Sequence, residues 1–70
     1  MAKRVYVAAA DIDALLKLKA WHLEQEQAAT TRFNAAATIE CAEANREAIA
    51  IHGRAYLLLL KIIPELQRGL

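Results

Sequence analysis

Between Met1 and His52 this chain contains neither a glycine nor a proline. Those residues punctuate turns, hairpins and sheet edges, so their absence over most of the chain leaves little besides helix. Roughly a quarter of the residues are alanine, the strongest helix former, and there is no serine. Only Gly53, Pro64 and Gly69 interrupt the pattern. With 70 residues the chain has room for one small domain. At 57% hydrophobic and 24% charged it has too much apolar surface for a disordered segment.

The fold class expected is all-α: a two-helix hairpin with a short N-terminal extended arm, dimerising into a helical bundle. Residues 1–10 form the arm, with Val5, Tyr6 and Val7 as β-formers. Helix 1 is expected over about 11–30. Asp11 caps its start and Asp13 complements the helix dipole. Its core stripe holds Ile12, Leu15, Leu16, Lys19 and Leu23. A weaker stripe near the opposite face carries Ala14, Leu18, Trp21 and Ala28.

The β-branched Thr30 and Thr31, with Asn34, place a break at about 30–34; a single continuous helix is the alternative. Helix 2 is expected over about 35–66, with a possible bend at Gly53. A kink or an end is expected at Pro64, which cannot donate to the carbonyl of Leu60. Its main face is read as Phe33, Ala37, Cys41, Ala44, Ala48, Ile51, Ala55, Leu58, Leu59, Ile62 and Leu66. The small residues of its first half suit a close helix–helix contact at Ala44 and Ala48.

The second half, from Tyr56 to Ile63, is apolar around most of its circumference. One partner helix covers one side only, so a second chain is expected on the other. Tyr56, Leu57, Leu60 and Ile63 are the expected homodimer interface. A core this small barely offsets the cost of ordering the chain, which also favours association.

Catalytic chemistry finds few groups here. There is no serine nucleophile and no glycine-rich phosphate loop. Glu40, Glu43 and Glu47 share a helix side with Arg46 and read as a solvated face. No catalytic residue, cofactor site or metal site is expected. Cys41 and His52 lie about 16 Å apart along one helix, too far to ligate one ion. Cys41 reads as a small buried thiol. His22, which could touch Glu26, reads as a surface histidine. One cysteine forms no intrachain disulfide. No signal-like or membrane-spanning run is present, so cytoplasmic localisation and no membrane association are expected.

A formal net charge of +1 gives no general pull toward nucleic acid. The leading function is therefore a non-enzymatic protein-binding regulator or inhibitor of anti-activator type. It would dock as a homodimer on a larger protein through Arg4, Tyr6, Ala14, Leu18 and Trp21. The competing reading places Trp21 in the dimer seam. Lys3, Arg4, Val5, Tyr6 and Val7, followed by a capped helix, resemble the opening of ribbon-helix-helix DNA-binding proteins. That resemblance implies the alternative function, a small dimeric transcriptional regulator whose basic N-terminal arms pair across the dimer and read the major groove.

Overall fold

The computed structural model describes residues 7–69, which form two helices, α1 (Ala9–Asn34) and α2 (Ile39–Arg68), packed on each other as a hairpin. Residues 1–6 of the N-terminal arm expected over 1–10 lie outside the described residues; Val7 and Ala8 are non-helical, and Ala9 and Ala10 belong to α1 instead of the arm.

Helix α1 begins two residues before Asp11. Ala8 takes the extended conformation of an N-cap, and Asp11 reaches back so that its Oδ2 accepts the Ala8 N–H at 3.0 Å. Asp11 thus satisfies a free donor from the third helical position, not from the cap itself. The break expected at 30–34 is displaced to residues 35–38. The Thr30 and Thr31 hydroxyls donate back to the carbonyls of Glu26 and Gln27, at 2.9 and 3.1 Å, so both threonines fit the helix.

Helix α2 starts at Thr38, whose hydroxyl accepts the Cys41 N–H at 3.1 Å. It runs unbroken through Gly53 and Pro64 to Arg68, so it does not end before Pro64. Pro64 deprives only the Leu60 carbonyl, near the helix end. Leu60 is itself 45% exposed, where water can satisfy that oxygen.

The seam between the helices follows a three-four spacing on both. On α1 it is Ile12, Leu15, Lys19, His22, Glu26, Ala29 and Phe33. On α2 it is Ala42, Asn45, Ile49, His52, Tyr56, Leu59, Ile63 and Leu66. All fifteen are buried or half-buried. This is the spacing of an antiparallel coiled coil. It corrects the expected face of α2, which is rotated by about one residue. Cys41, Ala44, Ile51, Leu58 and Ile62 point away from α1 and are exposed. The close contact expected at Ala44 is therefore absent from the hairpin.

The pair is a slab with principal extents of 52 × 24 × 14 Å. Fourteen ångströms is little more than one helix diameter, so the hairpin is a single layer. Its buried apolar residues are Ile12, Ala29 and Ile63, and among the described residues no large side chain is completely enclosed.

Candidate functional site: a polar seam and two apolar faces

Midway along the seam, apolar packing gives way to polar groups. His22 Nδ1 and His52 Nδ1 lie 2.8 Å apart across the helices, so one imidazole donates and the other accepts. Trp21 lies edge-on to both, with ring centroids 4.9 Å from His22 and 5.3 Å from His52. His22 is thus an interhelical partner, which corrects its reading as a surface residue beside Glu26. Glu26 instead lies over Gly53, where an added Cβ would collide with its Oε2. Toward the connection, Arg32 Nε donates to Asn45 Oδ1 at 3.0 Å, and Asn45 Nδ2 donates to the Cys41 carbonyl at 2.9 Å. Arg46 stacks over the Phe33 ring at 5.7 Å. Cys41 is exposed, not the buried thiol expected.

Polar seam residues restrict which registers two helices can adopt, because sliding them would strand a buried donor or acceptor. His22, His52, Asn45 and Arg32 do this here. Among the described residues, no three His, Cys, Asp or Glu side chains converge as a metal site would require. No described helix is long and apolar enough to cross a membrane.

Among the described residues eight large hydrophobic side chains are exposed: Leu18, Trp21, Ile39, Ile51, Leu57, Leu58, Leu60 and Ile62. The antiparallel register sorts them. Leu18 and Trp21 flank the α1 seam on the same side as Ile51, Leu58 and Ile62 flank the α2 seam. These five make one face of the slab, and Ala14, also exposed, lies on it. Leu57 and Leu60 lie away from that face. With Leu58 they line an open hollow on the outer side of α2, bounded by Arg54 and Lys61.

The residues proposed from sequence are thus divided. Leu18, Trp21 and Ala14 share a face; Arg4 and Tyr6 lie outside the described residues. Leu57 and Leu60 are exposed, whereas Tyr56 is half-buried and Ile63, at 3% exposure, is enclosed in the seam. Sequence reasoning missed Asn45 and the His22–His52 pair. The signal was available in the spacing of Ala42, Asn45, Ile49, His52 and Tyr56, where polar residues occupy every second seam position.

No protein family, curated protein or solved structure matches this chain.

Proposed function

We propose that this chain is a non-enzymatic protein-binding regulator that works as a dimer and docks on a larger protein through the outer side of α2. The carrying observation is the hollow formed by Leu57, Leu58 and Leu60 between Arg54 and Lys61. Leu57 is 62% exposed, the largest exposure of any large hydrophobic residue in α2 beyond its first turn. Large aliphatic side chains held open on a rigid helix and rimmed by cations suit a partner surface of apolar side chains flanked by carboxylates. Among the described residues the one ion pair is Glu65–Arg68, so Arg54 and Lys61 remain available to such carboxylates. Inhibition follows by occlusion: a helix seated on a working surface excludes whatever else binds there.

The test is photo-crosslinking in cells with a benzophenone side chain at position 57, against the same probe at Lys17 on the outer side of α1. The reading expects a discrete adduct with another protein from position 57 and none from position 17. Equal labelling from both positions, or adducts lost on nuclease treatment, would overturn it; the second result would favour nucleic-acid binding.

A further inference from the structure

We infer that the face carrying Trp21, Leu18, Ile51, Leu58 and Ile62 is closed by a second copy of this chain, with the two α2 helices antiparallel about a two-fold axis level with Gly53. This deepens the dimeric part of the proposed function and rests on it.

Three observations select this occupant. The first is size complementarity. The outward stripe of α2 is small in its first half, Ala44 and Ala48, and bulky in its second, Leu58 and Ile62. Antiparallel pairing sets Ala44 against the partner's Ile62, Ala48 against the partner's Leu58 and Ile51 against the partner's Ala55. Each of these three layers then joins one alanine to one large aliphatic residue, the alternation that lets helix faces interdigitate. Parallel pairing would set alanine against alanine at one end and leucine against leucine at the other.

The second is charge. Along the outer edge of that stripe, Glu40 and Glu47 precede Gly53 while Arg54 and Lys61 follow it, and all four are exposed. Reversal brings the acidic half of one copy beside the basic half of the other; parallel pairing would place like charges together.

The third is thickness. A slab 14 Å deep is one layer of helices, and stable domains pack two. Because His22 reaches His52 and Glu26 lies over Gly53, the same axis crosses α1 between Trp21 and Glu26. The product is a four-helix bundle with Trp21 in its core, Leu58 turned into the interface, and Leu57 and Leu60 left outside with Arg54 and Lys61.

The register also sets Cys41 against the partner's residue 65. Glu65 is exposed, with a side-chain accessibility of 67%, so Glu65→Cys leaves the hairpin core untouched. Residues 41 and 65 of one chain lie about 36 Å apart on one helix and cannot join within it. Mild oxidation of the full-length variant with diamide should give a disulfide-linked dimer at least about tenfold faster than the unsubstituted chain, since proximity replaces random encounter. Adding Cys41→Ala should abolish the effect. Equal rates for variant and unsubstituted chain would overturn the inference, and so would a sedimentation-equilibrium mass of 7.8 kDa for the unsubstituted chain at micromolar concentration. The two proposals separate cleanly. A monomer that still gives adducts from position 57 sinks this inference alone, whereas a cross-linked dimer giving none sinks only the docking site.

Discussion

His22 Nδ1 and His52 Nδ1 approach to 2.8 Å across the hairpin, thirty residues apart in sequence and shielded at one edge by Trp21. A hydrogen bond between two imidazoles is directional and locks the helices in one register. Replacing one ring by an apolar side chain leaves the other half-buried without its partner. Replacing both removes the need for one. His22→Leu and His52→Leu should each lower stability by about 1–2 kcal/mol, and the double substitution should be close to neutral. Urea unfolding of the four chains measures the coupling; strictly additive losses would show that the two rings act independently.

Asn45 is the one buried polar residue among those described, at 9% exposure. Its partners have alternatives: Arg32 is exposed to water, and the Cys41 carbonyl sits within a helix. Asn45→Leu should therefore raise stability by roughly 1–2 kcal/mol, as replacing buried polar contacts by apolar packing often does. It should also loosen register, seen as broadened amide resonances. A drop in the thermal midpoint would mean that the Arg32–Asn45 contact contributes more than its burial suggests.

Gly53 lies inside α2, where glycine costs about 1 kcal/mol relative to alanine. The atom that a Cβ would meet is the tip of Glu26, a flexible side chain able to swing aside. Gly53→Ala should stabilise the protein by about 0.5–1 kcal/mol. A thermal melt decides, and a lowered midpoint would show that Glu26 is held firmly where it lies.

The hairpin and its two stripes on α1 were legible in the chain because Ile12, Leu15, Leu16, Lys19 and Leu23 repeat at helical spacing, and all five are at least half-buried. Helix α2 was harder. Its apolar residues form two adjacent three-four patterns, one starting at Cys41 and the other at Ala42. The Cys41 pattern looks the more apolar because the Ala42 pattern contains Asn45 and His52. Those polar residues face α1 only because Arg32 and His22 meet them there, a pairing no local pattern reports. The connection was misplaced for a related reason. Residues 35–37 are all alanine, which marks no turn, so the stop signal lay in the Thr38 cap beyond it.

Ala44 is exposed on the hairpin, and the inferred bundle would set it against the partner's Ile62. On a monomer, Ala44→Leu would be almost neutral, since both residues favour helix. At the dimer layer it overpacks, and association should weaken by ~1–3 kcal/mol with helicity unchanged. Sedimentation velocity across a dilution series checks this; an unaltered dimer constant would place Ala44 outside the interface.

Trp21→Ala should weaken the dimer by about 2 kcal/mol or more, roughly thirtyfold, because a central aromatic anchor is lost. The hairpin should remain helical by circular dichroism, since Trp21 flanks the seam and does not fill it. Loss of helicity without dissociation would instead make Trp21 a support of the His22–His52 pair.

The central claim is that a second, antiparallel copy completes the one-layer hairpin, and native Cys41 gives direct access to it. This is the chain's one cysteine, and it is exposed. A nitroxide attached there reports the distance between two copies by pulsed electron–electron resonance, with no substitution needed. An axis level with Gly53 sets the two Cys41 positions about 36 Å apart along the helices. A distance distribution centred near that value is the expected result. A short distance, with the labels side by side as in a parallel dimer, or no dipolar modulation at all, would contradict it.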